Sequence, residues 1–219
     1  MMKEKKEIIK NYILDKKISE EERKERFEIA WDIWENFLLL CEDIKKEFVQ
    51  KHIQPEIEKL FGESFFIRDL IFRDKICYLN VVLVKRNWLI NNNPFYVIKL
   101  NHDECGNYEL GLERWINNNI SQDILKREEE IRNFVSSKRE FNSVTQWWKF
   151  RKRFRGSSSD DGGLNFILSL FFTPEKEANI LKEEFSQLRQ LLKEKINEQI
   201  TLEEFIDNIV EHYKQISSK

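Results

Sequence analysis

CYLNVVLVKRNW, residues 77–88, decides the fold. Through its middle, Val81 to Val84, apolar side chains stand at odd and even positions alike, so a strand built from it has two faces to bury. That places it centrally in a sheet rather than at an edge. Short β-branched and aromatic runs lie on both sides of it, at residues 64–73, 95–101 and 108–115. Asp74, residues 91–94 and Gly106 punctuate these runs, and turn residues at such intervals read as hairpin connections. The expectation is an antiparallel meander.

Further out the apolar period changes from two to between three and four. An amphipathic helix is expected over residues 3–16, on the face of Ile8, Ile9, Tyr12 and Ile13. Ser19 and Glu22 then form a capping box, the acid three residues after the hydroxyl. Phe27, Trp31, Trp34, Leu38, Cys41, Ile44 and Phe48 follow at helical spacing. They predict a long helix with one broad apolar face, in which Trp31 and Trp34 read as core. Pro55 should kink or restart that helix and Gly62 should end it. On the far side of the strands a charged helix is expected over residues 121–136. NFILSLFF, residues 165–172, reads as a buried strand or an apolar helix start. Thr173, Pro174 and Glu175 then occupy the favoured first positions of a helix running to about Asn197. TLEE, residues 201–204, is a second capping box, opening a last helix that ends near Ile216.

The order helices, strands, helices predicts an α+β fold with an antiparallel sheet of about four to six strands packed with long N- and C-terminal helices. Residues 1–219 are expected to form a single α+β domain: a helical part over 1–62, a sheet-rich core over 63–172 and a helical hairpin over 173–219. With 37 cations against 39 anions, the surface as a whole has no field that would draw nucleic acid or membrane. Cys41, Cys77 and Cys105 are odd in number and far apart, which favours a reducing compartment over a disulfide framework. The opening MMKEKKEIIKNYILDKK is charged where a signal peptide needs an apolar run. A soluble, cytoplasmic protein with no membrane role is expected, and the sequence fixes no oligomeric state.

Most catalytic templates fail. There is no GxxxxGK[ST], GxGxxG or GxSxG stretch. His52, His102 and His212 are the histidines, and none stands in a dyad arrangement. The cluster NHDEC, residues 101–105, places adjacent side chains in different directions, so it reads as a polar turn rather than a metal site. A metal-dependent nuclease strand needs an acid two residues before a lysine, as ligand beside the water-orienting base. In FYVIKL the lysine is Lys99, but Val97 holds the acid's place. No cofactor, metal site or catalytic residue is therefore expected.

WWKFRKRFR, residues 147–155, remains, with five cations and four aromatics in nine residues. As a strand it would turn Trp147, Lys149, Arg151, Arg153 and Arg155 one way, and Trp148, Phe150, Lys152 and Phe154 the other. A ladder of arginines beside a tryptophan suits phosphates and exposed bases. Arginine and tryptophan also suit a protein-docking hot spot. The alternative is an edge strand whose cations pair with the chain's own acids, from residues 128–130 or Asp160 and Asp161. The candidate binding residues are Trp147, Lys149, Arg151, Lys152, Arg153 and Arg155.

Long helix, meander of the FYVIKLNHDECGNYELGLERW kind, WWKFRKRF, loop, apolar segment and closing helices together resemble the C-terminal accessory region of bacterial PD-(D/E)XK nuclease-superfamily proteins, over about residues 30–216. The resemblance implies an accessory region without the catalytic core, since the family's acid, acid and lysine triad has no match at Val97. In style rather than motif, the chain is also similar to phage anti-defence proteins. Together these imply a non-enzymatic binding or regulatory protein of phage–host conflict, an anti-defence or anti-CRISPR-type inhibitor or a defence accessory. It would occupy an RNA- or DNA-binding surface, its partner being nucleic acid or a nucleoprotein nuclease complex. The alternatives are a divergent magnesium nuclease that draws its missing acid from Asp103 or Glu109, and a protein–protein interaction module with no nucleic-acid role.

Overall fold

The computed structural model describes residues 12, 17–71, 79–102, 107–118, 120–138, 141, 145, 148–156 and 163–217. The expected helix over residues 3–16 lies outside them except for Tyr12. The chain forms two compact units, residues 1–43 and 44–219, and the boundary falls inside the first long helix.

That helix, α1, spans Glu20–Phe48. Ser19 caps it: its Oγ accepts the amide of Glu22 at 3.1 Å. The acid of the expected capping box turns elsewhere, to Arg26, whose Nη2 donates to Glu22 Oε1 at 2.9 Å. Arg26 also donates to the Tyr12 carbonyl at 3.0 Å and lies 4.5 Å from the Tyr12 ring centre. The apolar stripe runs along α1 as its spacing requires, but it is not core in its first half. Phe27 is 55% exposed, Trp31 53% and Trp34 47%, and burial begins at Cys41. Periodicity states which residues share a face; it does not state that another element lies on that face.

The second unit is an α+β fold. Beyond Phe48 one π-turn, Val49–Ile53, precedes α2, Gln54–Phe61, with Pro55 in its first turn. Gly62 closes α2 at φ 70° and ψ −174°, a positive-φ backbone that glycine adopts without strain. Five strands then form one antiparallel sheet: β1 Phe65–Ile71, β2 Leu79–Lys85, β5 Tyr96–His102, β6 Asn107–Arg114 and β7 Trp148–Arg155, in that spatial order. A small hairpin, β3 Leu89–Ile90 and β4 Asn93–Pro94, is inserted after β2. Its turn residues Asn91 and Asn92 both take positive φ, as a two-residue primed turn requires. β2 is interior and buried on both faces, one strand in from the β1 edge, and β5 holds the middle.

Four further helices follow: α3 Gln122–Ser136, α4 Gly163–Phe172, α5 Pro174–Lys193 and α6 Leu202–Ser217. Helices lie against the sheet face that carries Leu83, Ile98 and Leu110. Phe61 of α2 meets Phe65 of β1 and Phe185 of α5 edge-on. Arg189 of α5 donates to the Leu60 carbonyl at 3.1 Å. From α6, Asp207 accepts the Trp88 indole at 2.7 Å and the Lys85 ammonium at 2.6 Å. The other sheet face holds a small cluster of Val82, Val84 and Val97, with Phe66, Leu89 and Trp115 packed against it.

NFILSLFF forms the helix α4, with Phe166, Ile167 and Leu170 buried and Phe172 70% exposed. Thr173 does not cap α5; its hydroxyl turns back to the Ser169 carbonyl at 3.3 Å. α5 ends at Lys193, where Glu194 turns to extended backbone, and in the turn that follows Asn197 Oδ1 accepts the amides of Gln199 and Ile200 at 3.0 Å each. TLEE forms the reciprocal capping box in full. Thr201 Oγ1 accepts the Glu204 amide at 3.2 Å, and Glu204 accepts the Thr201 amide at 2.8 Å. Among the described residues no helix is long and apolar enough to cross a membrane.

Candidate interaction surfaces

β7 is the strand expected from WWKFRKRFR, and among the described residues it forms an edge of the sheet, paired to β6. Its register does not follow simple alternation. Phe154 faces Tyr108, Lys152 faces Leu110 and Phe150 faces Leu112, yet Trp148 faces Glu113, so Lys149 is an extra residue in a β-bulge. The bulge moves Trp148 to the open face beside Arg151 and turns Lys149 inward, the reverse of the alternation expected from sequence. Trp147 lies outside the described residues.

Lys149 is only 5% exposed. Its ammonium donates to Glu128 Oε2 of α3 at 2.9 Å, and Arg114 Nη1 donates to the same oxygen at 2.7 Å. Tyr96 Oη donates to Glu128 Oε1 at 2.8 Å. Burial pulls the Lys149 pKa down, against the opposing pull of Glu128. Burial, followed by the Glu128 charge, pushes the Tyr96 phenol well above its ordinary range. One buried carboxylate thus holds two cations and a phenol, and removing it would strand all three.

The other cations of β7 are also engaged. Lys152 pairs with Glu184 at 2.7 Å and donates to Gln187 at 2.6 Å, both on α5. Arg151 pairs with Glu109 across the sheet at 2.7 Å. On the same open face Lys99 pairs with Glu113 at 3.2 Å, and the Lys99 and Arg151 head groups each lie 5.8 Å from the Trp148 ring centre. Arg153 and Arg155 are exposed at the far end of the strand. The face is therefore a mixed ladder of acids and cations, not a cationic one. Gly111 sits between Lys99 and Arg151; a Cβ there would come within 2.1 Å of the Phe150 carbonyl oxygen.

Lys99 does have two acids nearby, but on β6 rather than its own strand, and Glu113 and Glu109 are bound to Lys99 and Arg151. Among the described residues no three His, Cys, Asp or Glu side chains are grouped to hold a metal. Asp103, the other acid considered, lies outside them. His102 is buried and stacked on Phe166 with ring centres 3.8 Å apart.

The surface that sequence reasoning assigned to core is α1. Besides Phe27, Trp31 and Trp34, it exposes Ile29, Ile33, Leu39 and Leu40, with Ile33 65% exposed. Tryptophan and phenylalanine at such exposure on one helix are the residue types that dominate binding interfaces. Their signal in the sequence was the apolar content on more than one side of α1, which one buried face does not need.

No family model matches the chain, no curated protein matches it in sequence, and no solved structure matches it in fold.

Proposed function

We propose that this chain is a non-enzymatic binding protein that engages a partner protein through the exposed aromatic face of α1. The observation that carries this reading is the half-exposed row of Phe27, Trp31 and Trp34. Apolar groups left in water at this density favour association, because covering them releases the hydration cost. The β7 cations, by contrast, contribute mainly to internal pairing. A second reading keeps nucleic acid or a nucleoprotein nuclease complex in phage–host conflict as the target. Exposure of Arg153 and Arg155 favours it, since both would reach a phosphate.

One comparison tests the two. The intact chain, a Trp31→Ser/Trp34→Ser variant and an Arg153→Ala/Arg155→Ala variant are used to capture protein and nucleic acid from cell extract. Loss of a protein partner with the tryptophan pair alone supports docking by α1. Loss of salt-sensitive nucleic-acid binding with the arginine pair alone overturns it.

A further inference from the structure

Resting on the docking reading above, we propose that the aromatic face of α1 receives an amphipathic helix whose flank carries lysine or arginine, supplied by a partner protein. The spacing comes first. Phe27, Trp31, Trp34 and Leu38 are separated by four, three and four residues, and Cys41, Lys45 and Phe48 continue the alternation. A strict repeat of seven keeps one seam facing a second helix as the two wind around each other, whereas a single covered face needs only an approximate period of 3.6. The first heptad of this seam, Phe27 through Trp34, is exposed, Leu38 is half-buried, and the seam is buried at Cys41, Lys45 and Phe48.

Charge then selects among helices. The row directly beside the seam is Glu28, Glu35 and Glu42, and Glu21, Glu25 and Asp32 stand on the same side. Glu21, Glu25, Glu28, Asp32 and Glu35 are exposed. Among the described residues Glu25, Asp32 and Glu35 take part in no ion pair. The row on the other side of the seam is Arg23, Ala30, Phe37 and Ile44, with one cation and three apolar residues. A second copy of α1 matches this poorly. Antiparallel pairing would bring the Glu28, Glu35 and Glu42 rows of two copies together. Parallel pairing would set Glu20, Glu21 and Glu22 of both copies side by side. Like charges across a helix seam select against a partner, and opposite charges there set partner choice. A helix with cations along its flank satisfies the acids and covers the tryptophans together. Among the described residues Tyr12 sits on Arg26, which heads a different row of α1, through Ile29 and Ile33.

Two synthetic helical peptides of four heptads test this. Both carry leucine at the seam positions; one carries lysine and the other glutamate at the flanking positions. Calorimetry with the full chain at low salt should show the lysine peptide binding at least about tenfold tighter than its twin, with the preference shrinking at high salt. Trp31→Ser/Trp34→Ser should weaken the lysine peptide about tenfold or more, and Glu28→Lys/Glu35→Lys should reverse the order of the twins. Equal binding of the twins, binding of neither, or a dimer of the chain in sedimentation that the tryptophan pair abolishes would each overturn the proposal. So would binding that emerges only after Ile9→Asp/Ile13→Asp, which would mean that the N-terminal segment covers the seam. If the tryptophan pair loses a protein partner while the peptides bind alike, docking by α1 stands and the basic helix falls. If it changes neither, both fall.

Discussion

β7 and α1 teach opposite lessons about reading a face from its pattern. β7 looks like a binding site in sequence, yet Lys149, Arg151 and Lys152 close ion pairs with Glu128, Glu109 and Glu184. α1 looks like a core helix, yet its aromatic row is half exposed as far as Trp34. The partners of the β7 cations stand 21, 42 and 32 positions away in the chain, beyond any local window. The helix has the converse problem: its pattern is local and correct, but the element that should cover it is not part of the pattern. Charge density is thus a weak sign of a free surface, and apolar periodicity a weak sign of burial.

The largest expected effect would break the β7 side of this contrast. Glu128→Ala leaves Lys149 and Arg114 buried without their carboxylate, and urea denaturation should show a loss of about 3–5 kcal/mol. If the loss is near zero, the β7 cations are not held as described. Gly111→Ala comes next. Its methyl group would press on the Phe150 carbonyl and push β7 from β6, costing about 1–3 kcal/mol and weakening amide protection along β7 first.

Acid titration then sharpens the contrast with an ion cluster away from β7. Burial raises the Glu203 pKa, but hydrogen bonds from Lys85 and Arg189 outweigh it and hold the carboxyl below its ordinary 4.5. A depressed pKa in the fold contributes stability above the ordinary value and loses it as pH falls through the folded value. Stability should therefore drop as pH passes below about 4.5, and Glu203→Gln should flatten that drop. Smallest of all should be the tryptophan pair. Trp31→Ala/Trp34→Ala is expected to stay within about 0.5 kcal/mol of the parent chain in thermal melts, because exposed side chains leave no cavity. A loss like that of Glu128→Ala would return these residues to the core.

The fold was legible where local rules act alone. Residues 77–88 reveal an interior strand because Val81 to Val84 have no polar side to show. Ser121 and Thr201 mark helix starts through their own hydroxyls, which accept the amides of Ile124 and Glu204. α5 stopped short of Asn197 where Glu194 turns to extended backbone and its carbonyl accepts the Leu202 amide at 2.8 Å, a contact from the start of the next helix. The bulge at Lys149 was hidden, since it depends on which β6 residue each side chain meets. A sign of it did exist on α3: Glu128 falls in the apolar row of Ile124, Ile131 and Val135, and an acid at a buried helical position calls for a cation from elsewhere. By the same reasoning Lys45, a buried cation on the row of Cys41 and Phe48, calls for an acid from elsewhere.

The second bulge of the sheet, at Arg68, bears on how the molecule grows. β1 and β7 are its two outer strands, and each has a one-residue irregularity, between Ile67 and Asp69 in β1 and at Lys149 in β7. A new strand laid against either rim would find the hydrogen-bonding groups out of step partway along. Filament growth by strand addition is thereby discouraged at both ends.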